Sequence, residues 1–287
     1  MTVQRRGSEP SSARSLQARI NHEAGGSSGI ARRLQLLVAD AAIGQMLPPG
    51  VLKGGAALQL RYGEGGARAT GDLDATRPGD IELDAWLDAF EERLGGGWAG
   101  FTGTLSPRSS KAPNDIPDDY TMRRFQIVLR YKGSEWTPVT FELTRDEVGG
   151  TAEPDVRIGQ RAVDLCAILG LPEPGPIRLL SASHQIIQKL HACTSVNATG
   201  ENDRAHDLVD IQVLVREEQP DLADMRAIAT RLFSSRRRQP WPPVVRAHST
   251  WASIYAAESV DLAVLASVDA AVTWTNDLIR AIDAATG

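Results

Sequence analysis

Asp72 and Asp74 stand at alternate positions just past a glycine-marked corner, in the stretch VLKGGAALQLRYGEGGARATGDLDA (residues 51–75). In an extended strand, residues i and i+2 point to the same side, so both carboxylates address one point in space. Two like charges held that close repel unless a cation lies between them. Ligands that are all oxygen suit Mg2+, which keeps several waters and takes further ligands from substrate phosphates. Upstream, Gly54 and Gly55 open a short helical pattern. Backbone N–H groups at such a start, with the positive end of the helix dipole, form a cradle for phosphate. Lys53 joins the two glycines in the candidate nucleotide-binding set, and Arg68, four residues before Asp72, adds a charge-assisted clamp. A phosphate cradle beside a D-x-D pair points to metal-assisted phosphoryl or nucleotidyl transfer. Each signal alone has an ordinary alternative, a plain turn or a solvated strand end.

Further candidates lie downstream. Only Lys53, Lys111, Lys132 and Lys189 among the 31 basic residues are lysines, so a position that needs one compact ammonium stands out. Lys189 lies on a helical pattern whose Ile186, Ile187 and Leu190 face a core. Its ordinary alternative is a surface lysine whose stem runs along apolar surface. Arg204, Asp207 and Asp210 fall at i, i+3 and i+6, which by itself reads equally as a surface salt-bridge ladder. Glu142, in PVTFELT, alternates with apolar neighbours late in a strand, where a solvated acid is the ordinary reading. Arg123 and Arg124, with Arg236, Arg237 and Arg238 beside Trp241, are candidates for contact with RNA backbone and exposed bases, or simply a solvated arginine turn. His191 and His206 read as packing or capping residues.

These side chains need a scaffold of strands and helices, and the 287-residue chain is long enough for two lobes. Hydrophobic residues make up 42% and charged residues 23%, the balance of a globular protein. The net charge of −5 argues against a generally basic nucleic-acid-coating protein. No apolar run approaches the ~20 residues that cross a bilayer, so no membrane partner is expected. Residues 1–12 read as a flexible tail without a signal peptide's apolar stretch. Cys166 and Cys193 lack metal-ligand spacing and read as buried thiols of a cytoplasmic protein. Helical spacing covers 13–23 and 27–46, where Leu34, Leu37, Val38, Ala41 and Ala42 form one face ended by Pro48 and Pro49. VLK reads as a buried strand, AALQLRY as a helix, DLDA as a strand edge, and residues 79–97 as an amphipathic helix with Asp80 near its start. GFTGTLS, RRFQIVLRYKG and WTPVTFELT read as strands, with a hairpin turn at YKGSEW and a mobile loop at APNDIPDD. Gly and Pro crowd 145–180, and helices are expected over 181–196, 202–217, 221–235 and 258–284. The expected fold is α+β: a mixed sheet flanked by helices over residues 13–170, then a helical lobe over 171–287.

The segment KGGAALQLRYG…RATGDLD resembles the first motif of the nucleotidyltransferase toxins of the AbiEii/MenT family, within the polymerase-β-like superfamily. HQIIQKLHACTSV…NDRAHDLVDIQVL resembles that family's downstream K-L-H-A and D-L-x-D motifs, and QPWPP followed by W…IYA fits the MenT branch. The resemblance spans roughly residues 35–285. One departure is Ala56, where relatives usually carry a hydroxyl after the glycine pair. The resemblance implies that Asp72 and Asp74 hold Mg2+, that Lys189 lies near the nucleotide phosphates, and that Asp210 is the essential acid flanked by Arg204 and Asp207. It also implies a hydroxyl beside the metal site at Thr70, and a role for Glu142 in completing that site or activating the attacking group. The expected activity moves a nucleoside monophosphate from an NTP onto the 3′ end of tRNA, blocking aminoacylation and inhibiting growth until a cognate antitoxin acts. The alternatives are a nucleotidyltransferase with a protein or small-molecule acceptor, and an inactive nucleotide- or RNA-binding module.

Overall fold

The computed structural model describes residues 8–63, 65–108, 122–195 and 200–286. The chain divides into two compact units, one of Met1–Glu64 and Ala69–Leu179, the other of Gly65–Arg68 and Leu180–Gly287. The expected loop at APNDIPDD lies outside the described residues.

In the first unit, α1 (Ala13–Glu23) and α2 (Ser28–Met46) lead into β1 (Val51–Lys53), α3 (Gly54–Tyr62), β2 (Asp72–Arg77) and α4 (Leu83–Gly96). β3 (Phe101–Pro107), β4 (Arg123–Tyr131) and β5 (Ser134–Arg145) follow, then β6 (Asp155–Arg157), α5 (Gln160–Leu169) and β7 (Ile177–Leu179). Among the described residues these strands make one mixed sheet in the order β3-β4-β5-β2-β1-β7-β6. β2 runs parallel to β5 and β1 parallel to β7, while the other neighbours are antiparallel. Period-two alternation puts Leu73, Ala75, Phe125, Phe141 and Leu143 in the core. There α4 presents Trp86, Phe90 and Leu94, one turn apart, and the Trp86 and Phe141 rings stack 6.3 Å apart. The opposite side chains of the same strands, Asp72, Asp74, Thr140 and Glu142, are the polar set.

Several expectations are corrected here. Residues 8–12 are docked, not a free tail: Tyr131 Oη donates to the Pro10 carbonyl (3.1 Å), and Lys132 Nζ reaches Glu9 Oε2 (3.2 Å). Ser12 caps α1 by accepting from the Ser15 N–H. α4 starts at Leu83, later than expected, because Arg145 takes the Gly79 carbonyl and Arg77 the Ile81 carbonyl, holding 78–81 as a turn. The Gly/Pro-rich stretch contains β6, α5 and β7, and β7 belongs to the first unit although it lies past residue 170.

The second unit is built from α6 (Ala182–Thr194), α7 (Ala205–Glu218), α8 (Leu222–Arg236), α9 (Trp251–Glu258) and α10 (Val268–Ala284) around Ile186, Leu190, Leu208, Ile211, Leu232, Trp251 and Tyr255. The single helix expected over 258–284 is broken. Asp261 takes φ +60°, and Leu265 is held away from helical bonding: Gln212 Oε1 accepts from its N–H, and Tyr255 Oη donates to its carbonyl. Among the described residues no helix is long and apolar enough to cross a membrane.

Candidate active site

The glycine pair has a tertiary reason for being glycine. Gly54 opens α3 at φ +66°, a left-handed backbone that side chains disfavour, and a Cβ there would stand 2.2 Å from Asp74 Oδ2. A Cβ on Gly55 would stand 2.9 Å from Thr70 Cβ. Each glycine therefore seats one side chain of the segment that leads into and along β2. Ala56, the next residue, is fully buried.

The sheet aligns the charges. Lys53 pairs with Asp74 across β1 and β2, Asp74 with Glu142 across β2 and β5, and Glu142 with Arg124 across β5 and β4. One register row thus reads cation, acid, acid, cation. Asp72 is exposed, Asp74 half-buried and Glu142 buried. Lys53 Nζ donates to Thr144 Oγ1 (2.7 Å), which lies 3.0 Å from Thr76 Oγ1. Arg124 Nε donates to Glu142 Oε1 at 2.8 Å, with Nη2 on the same oxygen. This bond to Glu142 and its charge, then those of Asp72 and Asp74, outweigh desolvation and hold the Arg124 pKa above its usual value. Arg108 Nη1 lies 3.4 Å from Thr140 Oγ1, and Thr140 is the register partner of Asp72. Arg123 is in register with Leu143, so its side chain leaves on the other face of the sheet.

The donor set fits a hard divalent cation. Asp72 and Asp74 offer carboxylate oxygens only, and Gly54 leaves the space in which the Asp74 carboxylate lies. Among the described residues no group of three or more His, Cys, Asp or Glu side chains is arranged to hold a metal ion. Glu142, the third acid expected there, is engaged by Arg124.

Asp40 of α2 is a neighbour that sequence reasoning missed. It is 3% exposed. Burial pushes its carboxyl up, Arg32 opposes, Asp74 adds to the rise, and the pKa settles at about 8. The signal was a lone acid inside the apolar run LQLLVADAAIG.

In the second unit, buried charges form a cluster. Lys189 Nζ donates to Asp207 Oδ1 (2.8 Å) and Asp210 Oδ2 (2.6 Å), and Arg68 Nε lies 3.1 Å from both Asp210 oxygens. Lys189 is 8% exposed and Asp210 1%, so neither the surface lysine nor the solvated ladder describes them. Burial alone would lower the Lys189 pKa, but Asp207 and Asp210 outweigh it against Arg68 and raise it. Burial alone would raise the Asp207 pKa, but Lys189, Arg204 and His206 bring it down to about 2. Arg204 is the N-cap residue of α7 and remains largely exposed. His206 lies 3.8 Å from Asp207. His191 packs edge-on against Phe233, 5.0 Å between ring centres, and burial beside Arg236 and Arg238 depresses its pKa to about 3. Trp241, beside the arginine run, packs on Phe233 and donates to Asp283 Oδ1 (2.9 Å). Arg237 and Arg238 are exposed, and Arg236 is turned toward His191. Cys166 and Cys193 are buried free thiols whose pKa values burial raises, so they are chemically inert at neutral pH.

The family model described as nucleotidyl transferase AbiEii toxin, type IV toxin–antitoxin system, matches residues 35–282. The chain belongs to that family. Among solved structures it is similar to MenT4, a nucleotidyltransferase toxin from Mycobacterium tuberculosis H37Rv. The TM-score is 0.56 at 14% identity, covering 94% of this chain and 90% of that one, a likeness of fold. No curated protein matches the sequence.

Proposed function

We propose that the protein transfers a nucleoside monophosphate from an NTP to the 3′ end of tRNA in the cytoplasm, under the control of a cognate antitoxin. The observation that carries this reading is the placement of Asp72 and Asp74 on β2, with the Asp74 carboxylate seated against the Gly54 corner that opens α3. Asp72 and Asp74 would hold Mg2+, which when bound neutralises charge developing on the phosphates. The N–H groups at Gly54 and Gly55 and the start of α3 orient the triphosphate, and Lys53, anchored on Thr144, adds fixed positive charge beside Asp74. Thr70, packed over Gly55, holds the approach to Asp72 in place. The acceptor hydroxyl attacks the α-phosphorus and pyrophosphate leaves, so the protein's own work is orientation and charge neutralisation. In the second unit Asp207 and Asp210 fix the charges of Lys189 and Arg68, and we assign that cluster a supporting role with Arg204. Arg237 and Arg238 are the exposed candidates for RNA backbone contact.

The test is incubation of the purified chain with total tRNA, Mg2+ and each α-32P-labelled NTP in turn. Label on tRNA that is lost in Asp72→Asn, with the variant's thermal unfolding unchanged, is the expected result. Undiminished labelling by Asp72→Asn would overturn the assignment. Pyrophosphate release only with a protein or small-molecule acceptor would keep the chemistry and remove the tRNA.

A further inference from the structure

Glu142 stands in register with Asp74 and presents its carboxylate on the face that Asp72 and Asp74 share. Neighbouring strands lie about 4.8 Å apart, so three carboxylates crowd a small area of the sheet. Such a group needs a counter-charge. Lys53 stands at the Asp74 end of the row, and at the Glu142 end the counter-charge is Arg124, whose guanidinium grips Glu142 Oε1 through two nitrogens. Arg124 also feels Asp72 and Asp74. The pair is unevenly buried: the Arg124 side chain is 45% exposed and that of Glu142 is 11% exposed. The cation can therefore move into solvent while the acid stays at the site.

We propose that Arg124 is the built-in counter-ion of this carboxylate row, displaced from Glu142 when a divalent cation is taken up at Asp72 and Asp74. Arg124 then sets the affinity and selectivity of cation uptake, and Glu142 is the group it withholds. This rests on the metal-dependent reading above. It assigns Arg124 to positioning Glu142 and not to contact with RNA. The guanidinium half of the pair is open to solvent, so the exchange is reversible and lies within reach of an incoming divalent charge.

The test is Mn2+ binding to the full chain, followed by the electron paramagnetic resonance signal of free Mn2+, with no nucleotide and no turnover. Arg124→Met removes the charge and keeps most of the stem, and it should tighten Mn2+ binding roughly tenfold. Arg130→Met, the same charge change farther along β4 at the Glu135 pair, should leave affinity unchanged. In a Glu142→Gln background the gain from Arg124→Met should vanish, because there is no carboxylate left to release. Equal affinity in wild type and Arg124→Met overturns the proposal. So does a full gain in the Gln background, or an equal gain from Arg130→Met, since either outcome reduces the effect to bulk repulsion. Absence of Mn2+ binding in every variant overturns this inference together with the metal-dependent reading. Binding in wild type that Arg124→Met does not alter overturns the inference alone.

Discussion

Gly54→Ala separates the cost of folding from the cost to the site. The substitution asks alanine to adopt φ +66°, a left-handed conformation that costs about 1–2 kcal/mol for a residue with a Cβ. For a chain of this size that corresponds to a fall of roughly 2–8 °C in unfolding midpoint. The new methyl would stand 2.2 Å from Asp74 Oδ2. Ordinary carbon–oxygen contact begins at about 3.3 Å, so the carboxylate must retreat by roughly 1 Å. Misplacing a reacting group by that distance costs on the order of 100-fold in rate. The expected outcome is a folded protein, slightly less stable, with transfer reduced about a hundredfold and Mn2+ affinity reduced in parallel. Differential scanning fluorimetry gives the first quantity, and the tRNA labelling assay with Mn2+ titration gives the others. Gly55→Ala is the companion, because its methyl would press on Thr70 and not on the acid, so it should lose less activity. Wild-type transfer by Gly54→Ala would refute the argument that the glycine exists to seat Asp74.

Lys189→Met should destabilise the chain by about 3–5 kcal/mol, because Asp207 and Asp210 are left buried without their ammonium. Urea unfolding measures this, and adding Asp207→Asn and Asp210→Asn should recover part of the loss. His191 carries its proton in the unfolded chain below its ordinary value of 6.5 but only below about 3 in the fold. The unfolded state therefore binds more protons between pH 6.5 and 3, and stability falls with acid across that window at about 1.4 kcal/mol per pH unit. Comparing wild type with His191→Phe by urea unfolding at successive pH values isolates this slope; identical profiles would count against it. Asp207 contributes in the same direction lower down: its stabilisation is complete above pH 4 and is lost as pH falls toward 2.

Legibility in the sequence followed the range of the interactions. α2 was readable because its apolar residues repeat with the helical period and two prolines stop it. β4 and β5 were readable because alternation and a tight turn are local. The start of α4 was not, because Arg77 and Arg145 reach in from neighbouring strands to take its would-be helical carbonyls. α5 was overlooked among prolines and glycines although AVDLCAIL buries Ala162, Leu165, Cys166 and Leu169 on one face. At the candidate site, the D-x-D pair and the glycine corner were visible as short motifs. What each glycine accommodates was not visible, because Asp74 and Thr70 meet the corner only in the fold. Lys189 was singled out by the scarcity of lysine and by the resemblance, but its burial was not legible because its neutralising acids lie 18 and 21 residues further along. Glu142 was found by alternation, but its pairing with Arg124 depends on the β4–β5 register.

The row of Lys53, Asp74, Glu142 and Arg124 draws on four strands, and its central pair joins β2 to β5 in parallel. A slip of one residue in β2 would turn both aspartates into the aromatic layer and Leu73 out to water. During synthesis Asp72 and Asp74 leave the ribosome well before β4 and β5 exist, and until then they lack Glu142 and its arginine. A nascent or misregistered chain thus lacks the complete row. Pairing of β2 with β5, and of β5 with β4, is therefore the folding event that assembles the charged row.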